Sequence, residues 1–277
     1  MKRILVAALV ASAMAVPALA TEASFDKTLS VKAQATLLIS TGSGKIHLTH
    51  GSESQIHIVG RVRTTGWGGS DAKVKEIAAN PPIEQTGDII TVGRHMENLH
   101  NISIDYEVQA PQNVLLKAET GSGEIAIDGV GQNAKLETGS GSIHAHGLAG
   151  TLSAETGSGD IEIDLTGTGD AKAETGSGNI QIRGVHGAFH GQTGSGDIQA
   201  AGLPLHDWKL ETGSGSVVLT LGSASFNLDA ETGSGGIHVD QALTTEGSQE
   251  KDHVRGKVNG GGPLVKVETG SGGVTVH

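Results

Sequence analysis

The sequence is dominated by one short motif, Thr-Gly-Ser-Gly, which recurs at nearly constant spacing. From Thr120 to Thr232, successive motifs are 18 to 20 residues apart. The motif starts at Thr41, Thr120, Thr138, Thr156, Thr175, Thr193, Thr212, Thr232 and Thr269. A fixed short period indicates that one structural unit is stacked many times, so the repeat limits the fold more than any single residue does.

Each unit carries a short alternating segment on either side of the motif, as in residues 116–120 and 124–128. Because side chains alternate along a strand, Ile125 and Ile127 share one face and Glu124 shares the other. The equivalent first apolar position after the motif is Ile143, Ile161, Ile180, Ile198, Val217, Ile237 and Val274. Stacked about 4.8 Å apart, these side chains form a continuous apolar column. The pattern predicts an all-β, single-chain β-solenoid, or β-helix, with about 18–19 residues per coil.

A second apolar column is expected three residues before the position that usually holds Glu. It contains Leu116, Ala134, Leu152, Ala171, Phe189, Trp208, Leu228 and Val265. The chain has 43 glycines and only six aromatic residues, which suits a thin, repeated core. We therefore expect Phe189, Trp208 and Phe226 to pack inside and not to form a ligand platform.

Three segments are expected. Residues 1–20 resemble a signal peptide, with Lys2 and Arg3, an apolar run and small residues before the cleavage point. Residues 21–115 form a less regular β region that caps the stack, with one helix over 70–79, Ser70 or Asp71 as N-cap and a stop at 80–82. Residues 116–277 form the regular array, with a polar loop inserted at 244–252. The last strand, 274–277, is expected to leave an open sheet edge through which copies could associate.

Charge and cysteine content narrow the environment and the partners. Without Lys2 and Arg3, 17 basic residues face 30 acidic ones, a net charge of −13, which argues against a nucleic-acid partner. The chain has no cysteine, and after the signal no apolar run reaches the roughly 20 residues of a membrane helix. We expect an exported protein of the periplasm, the cell surface or the medium, with a cell-surface glycan or an envelope protein as partner.

The motif itself is interpreted as structural. Its glycines are expected where the backbone turns with positive φ and where coils approach closely, with Thr facing inward and Ser at the corner. The residue after the motif varies between Lys45, Glu124, Ser142 and others, too mixed for a ligand array. The Glu before most motifs forms a like-charge column that Lys two residues earlier can offset.

One cluster could carry metal chemistry. An 18-residue step places His144 beside Glu162, and Asp128, His146 and Asp164 in the next column, on one outward face. Imidazole and carboxylate groups are suitable ligands for zinc or a similar divalent cation. Exposed His and Asp on a solvated sheet usually bind nothing specific, so both interpretations stay open.

The repeated units, the lead-in IDYEVQAP at 104–111 and the ending NGGGPLVKVETGSGGVTVH resemble the bacterial putative-adhesin family of β-strand-repeat proteins, a domain of unknown function. The resemblance covers most of the chain after residue 20 and implies an exported β-solenoid without a catalytic motif. Right-handed coils are implied by the family and by the preference of parallel crossovers. We expect a non-enzymatic, adhesin-like surface for binding or scaffolding. The alternatives are a polysaccharide-acting β-helix enzyme and a metal-binding envelope protein using His144 and His146.

Overall fold

The computed structural model describes residues 21–277 except 33, 67–69, 95–98 and 246–249. The expected signal peptide lies outside these residues. The described part contains 25 strands and one helix. They are β1 (Glu22–Ser30), β2 (Thr36–Thr41), β3 (Ile46–His50), β4 (Gln55–Thr64), α1 (Asp71–Ala79), β5 (Ile83–Thr86), β6 (Ile89–Val92), β7 (Ile102–Ala110), β8 (Leu115–Thr120), β9 (Ile125–Asp128), β10 (Asn133–Thr138), β11 (Ile143–Leu148), β12 (Leu152–Thr156), β13 (Ile161–Leu165), β14 (Ala171–Thr175), β15 (Ile180–Val185), β16 (Phe189–Thr193), β17 (Ile198–Gly202), β18 (Trp208–Thr212), β19 (Val217–Thr220), β20 (Phe226–Thr232), β21 (Ile237–Val239), β22 (Leu243–Thr245), β23 (His253–Val258), β24 (Leu264–Thr269) and β25 (Val274–Val276).

The strands form two sheets, and each repeat unit gives one strand to each. The strand before a motif joins a 13-stranded sheet, ordered β22-β23-β20-β24-β18-β16-β14-β12-β10-β8-β2-β6-β5. The strand after it joins a 12-stranded sheet, ordered β1-β4-β7-β3-β9-β11-β13-β15-β17-β19-β25-β21. Equivalent residues pair in parallel register, as in Thr138 with Thr156 and Ile143 with Ile161. The predicted β-solenoid is confirmed.

The N-terminal region continues the stack and then adds antiparallel strands and the helix. The first motif is in register with the second, since Thr41 pairs with Thr120. Beyond it, β1, β4 and β7 pair antiparallel, and α1 packs on β4 and β1 through its buried Val74 and Ile77. The predicted helix is confirmed with Ser70 as N-cap, whose Oγ accepts a hydrogen bond of 3.3 Å from the backbone N–H of Lys73.

The order of coils at the other end differs from the order in the sequence. Strand β24 lies between β18 and β20, and β25 lies between β19 and β21. The expectation of an open edge at the last strand is therefore wrong, because β25 has a partner on each side. Sheet edges at this end are instead β21 and the inserted hairpin of β22 and β23, of which β23 pairs antiparallel with β20. Residues 246–249 of the predicted polar loop lie outside the described residues.

The core lies between the two sheets, and both predicted columns face it. Phe189, Trp208 and Phe226 are each at most 2% exposed, so the prediction that they pack inside is confirmed. The rings of Phe189 and Trp208 meet edge to face with centroids 5.5 Å apart, and Trp208 Nε1 donates to the carbonyl oxygen of Gly187 at 2.9 Å. Within the described ranges, no helix is long and apolar enough to cross a membrane.

Candidate functional site

The motif threonines link each coil to the preceding one in the stack. Thr156 is buried, its Oγ1 donates to the carbonyl oxygen of Gly141 at 2.8 Å, and it accepts a hydrogen bond from the N–H of Gly159 at 3.2 Å. The same bond to the neighbouring coil is donated by Thr120, Thr138, Thr175, Thr193, Thr212, Thr232 and Thr269. The inward Thr of the sequence interpretation thus joins stacked turns through a buried ladder.

Except for Gly42 of the first motif, the motif glycines are required by the close approach of the adjacent coil and not by the sign of φ. Both glycines of every motif lie outside the set with positive φ, so the expected positive φ at the motif is wrong. A Cβ added at Gly141 would overlap the carbonyl oxygen of Gly123 in the adjacent coil, so the expected close approach is confirmed. Positive φ occurs instead at glycines of the opposite, looser turns, such as Gly129 and Gly147.

At the variable position after the motif, four successive coils use a side-chain oxygen to bond the next coil. Ser142 Oγ, Asp160 Oδ1, Asn179 Oδ1 and Asp197 Oδ1 each accept the backbone N–H of the equivalent residue in the next coil, at 2.7–3.3 Å. The sequence reasoning missed this ladder, because the residues differ in charge. The available signal was that each of the four has a short side chain that ends in a hydrogen-bond-accepting oxygen.

A long groove follows the corner where the 13-stranded sheet meets the motif turns. One section encloses about 740 Å³ and runs from Ser40 and Thr41 to Gln192 and Gly194. A second section of about 590 Å³ shares Gln192 and Gly194 and continues to Glu268. In most coils the lining is the outward Glu, the buried Thr and the first glycine of the motif, with Ser40 and Gln192 in the place of Glu, so carboxylates recur along the groove.

Lysines on the same outward face offset the carboxylates. Lys172 Nζ lies 2.9 Å from Glu155 and 2.9 Å from Glu174, and so bridges two coils. Within single coils, the pairs are Lys117–Glu119, Lys135–Glu137, Lys209–Glu211 and Lys266–Glu268. The hydrogen bond from Lys117 holds the pKa of Glu119 below its ordinary value, and that from Lys209 does the same for Glu211. The predicted offset of the Glu column is confirmed.

The predicted metal-ligand residues lie on the opposite outer face, on β9, β11 and β13. His144 Nδ1 is 3.6 Å from Glu162 Oε2, and His146 Nδ1 is 2.8 Å from Asp164 Oδ2. Asp128 is in register with His146 on its other side. The structure thus brings all five onto one face as two separate His–carboxylate pairs beside Asp128.

A guanidinium already contacts this patch. Arg183 Nη1 lies 3.1 Å from Asp164 Oδ1 and 3.7 Å from Glu162 Oε1. Partial burial raises the pKa of Asp164, but hydrogen bonds from His146 and Arg183 outweigh it, and the pKa lies below the ordinary value. Among the described residues, no three His, Asp or Glu side chains converge in the arrangement that holds a metal ion. Metal binding at this patch stays a prediction.

The sequence as a whole matches one protein-family model. Residues 21–277 match the model described as Toastrack DUF4097. The chain belongs to this family. The Toastrack match spans the N-terminal region, the regular coils and the inserted hairpin together. A search of curated proteins found no match to the chain.

Solved structures similar to this Toastrack chain align over nearly their whole length and most of this chain, at low sequence identity. A putative adhesin from Bacteroides fragilis NCTC 9343 is 13% identical with a TM-score of 0.46, covering 92% of this chain and 97% of its own. A putative adhesin from Parabacteroides distasonis ATCC 8503 is 10% identical with a TM-score of 0.35, covering 92% and 97%. A putative cell adhesion protein from Clostridium sporogenes ATCC 15579 is 14% identical with a TM-score of 0.27, covering 92% and 99%.

Proposed function

We propose that this chain is a non-enzymatic, exported, adhesin-like solenoid that binds an extended polymer of the cell envelope along its motif groove. The observation that carries the proposal is the groove itself, whose lining repeats from Ser40 to Gly270 over the stacked coils. A small compact ligand would need a few convergent polar groups in an enclosed pocket. A long open groove with one recurring lining instead fits a long ligand with a recurring unit.

The charges of the groove favour a neutral or weakly cationic polymer. Most of its carboxylates already have a lysine partner, as Glu155 has with Lys172, so the wall is acidic but not an unbalanced stack of charge. With a net charge of −13 for residues 21–277, an anionic polymer would be repelled. A neutral cell-surface glycan is the ligand class to test first, and an envelope protein segment is the second.

The same charges favour binding over hydrolysis. A carboxyl group that acts as general acid in glycoside hydrolysis needs a raised pKa, whereas the pKa values of Glu119 and Glu211 are lowered. Their lysine partners hold them ionised. A polysaccharide-acting enzyme therefore remains the alternative that the assay must separate from a binding protein.

Residues 21–277 should be screened on a glycan array, with hydrolysis and lyase assays on every glycan retained. We expect retention without turnover, weakened by Glu155→Gln in the groove and unchanged by Glu162→Gln on the opposite outer face. Equal effects of the two variants would contradict the groove as the site. Turnover of a retained glycan would replace the proposal with the enzyme alternative.

Export is tested separately in the native host. We expect cell fractionation to recover the protein in the periplasm, at the surface or in the medium, with an N-terminus near Thr21 by mass spectrometry. A cytoplasmic protein that still carries residues 1–20 would contradict it.

A further inference from the structure

The last coil of the sequence occupies a slot between two coils that precede it. Strands β24 and β25 separate the coil of β18 and β19 from the coil of β20 and β21, and each has a parallel partner on both sides. Without this coil, the backbone edges of four strands would lose their partners. Unpaired strand edges are templates for another strand of the same pattern.

A segment fits this slot only if it has the apolar pattern and the turn of the repeat unit. Val265, Val267, Val274 and Val276 are fully buried in it, and Thr269 donates to the carbonyl oxygen of Gly215 at 2.8 Å. A segment that fills the slot must therefore supply alternating apolar residues around a Thr-Gly-Ser-Gly turn. Every copy of this chain carries such a segment, because residues 264–276 are themselves the segment that fills the slot.

The connection that leads into the slot is built as a tight crossing. Residues 259–263 carry the chain from β23 past the start of β20, and Asn259, Gly260 and Gly261 have φ of 49°, 92° and 86°. Positive φ is sterically easy for the two glycines and uncommon only for Asn259, so these residues form a tight turn and not an extended segment.

Asn227, which lies beside this crossing, has only part of its hydrogen-bonding capacity satisfied. Asn227 Nδ2 donates to the carbonyl oxygen of Gly262 at 2.5 Å, but Asn227 Oδ1 is buried without a hydrogen-bond partner. Opening the crossing would give this buried oxygen access to water, while breaking the hydrogen bonds that Ser225, Asn227 and Asn259 make across it.

We propose that two copies of this chain exchange the coil of β24 and β25, each filling the other's slot. The exchanged coil makes the same contacts as in the monomer, which makes such exchange a low-cost route to a dimer. The five residues 259–263 span at most roughly 17 Å when extended, so the two solenoids would lie close together at their C-terminal ends. Reciprocal exchange closes a two-fold dimer, and one-way exchange extends into a chain of copies.

The absence of cysteine from the sequence permits a direct test. Val218 and Thr275 are register partners on β19 and β25, and Val218→Cys and Thr275→Cys are made in separate chains. Adjacent strands are about 4.8 Å apart, within the Cα range of a disulfide. The two chains are mixed, refolded together from guanidinium at increasing protein concentration, and oxidised. In unexchanged monomers the two cysteines belong to different molecules and do not meet in register.

The matched control mixes Gln199→Cys with Val218→Cys, register partners on β17 and β19 that both stay in the same body. We expect a disulfide-linked heterodimer for the 218/275 mixture, with a yield that rises with protein concentration, and only background linkage for the 199/218 mixture. Linkage at the control level, or none at any concentration, would overturn the proposal.

A second variant confirms that the linkage reports exchange. When Val218→Cys and Thr275→Cys are combined in one chain and oxidised before mixing, the coil is locked in its own slot. Under non-reducing conditions this chain should remain monomeric after refolding, and reduction should restore the concentration-dependent dimer. A dimer that forms equally well from the locked chain would show that the contact lies elsewhere and overturn exchange.

Discussion

Replacing Thr156 with valine tests whether the buried threonine ladder holds the coils together. Valine keeps the branched shape of threonine and removes only the hydroxyl. Two backbone groups then lose a partner, the carbonyl oxygen of Gly141 at 2.8 Å and the N–H of Gly159 at 3.2 Å. Each buried polar group left unsatisfied costs about 1–3 kcal/mol, so we expect Thr156→Val to lower the free energy of unfolding by about 2–4 kcal/mol, the solvent-facing side of the turn limiting the loss.

The matched variant Thr156→Ser keeps the hydroxyl and removes one methyl group, which costs about 1 kcal/mol. Both are compared with the parent by equilibrium urea unfolding followed by far-ultraviolet circular dichroism. The slope of the unfolding free energy against urea must agree between variants, because coils interact mainly with their neighbours and a partial transition would invalidate the comparison. If Thr156→Val were as stable as the parent, or more stable than Thr156→Ser, the ladder would not be a stabilising element.

Three further outcomes follow from named contacts. Gly139→Ala should destabilise by about 1–3 kcal/mol in thermal melts, because its Cβ would meet the carbonyl oxygen of Gly121, whereas Gly42→Ala at the same motif position should be neutral, since no atom lies within 4 Å. Burial raises the pKa of Asp229, but the hydrogen bonds from Arg255 and His253 on β23 together have a larger, opposite effect. The pKa of Asp229 therefore lies below its ordinary value of 3.8. The stability that Asp229 contributes is therefore present above pH 3.8 and lost as the pH falls through the lowered value, so the stability gap to Asp229→Asn should close in acid unfolding titrations. If the His144/His146 patch binds metal, calorimetric titration with zinc should show micromolar binding that the double variant His144→Ala/His146→Ala abolishes. No binding by the parent would remove the metal hypothesis.

Much of the fold could be predicted, because the repeat fixes register directly. Once Thr138 and Thr156 are equivalent, so are the residues on either side, and alternation then decides which of them face the core. The same reasoning places His146 beside Asp164. It cannot show that Arg183 reaches Asp164, because a long flexible side chain can follow many paths from a known Cα position.

The order of the coils and the role of the motif glycines could not be predicted. Nearly identical units can stack on one another in any order, so periodicity does not reveal that the unit of Thr269 lies between those of Thr212 and Thr232. The only trace in the sequence is the long gap before Thr269. Likewise, glycine is needed both for positive φ and for close approach, and only the position of the adjacent carbonyl oxygen distinguishes the two.

The coil order must therefore come from the connections and not from the coils. Val265 separates Trp208 from Leu228 in the core column, yet Leu228 directly beside Trp208 would also be an apolar contact in register. What places the last coil in the slot is the antiparallel pairing of β23 with β20, followed by the short crossing at 259–263. A short connection gives the attached coil a high effective concentration at its own slot. A coil from another copy makes the same contacts, so it competes with the attached coil only through its concentration. The extent of exchange should therefore depend on the protein concentration during folding.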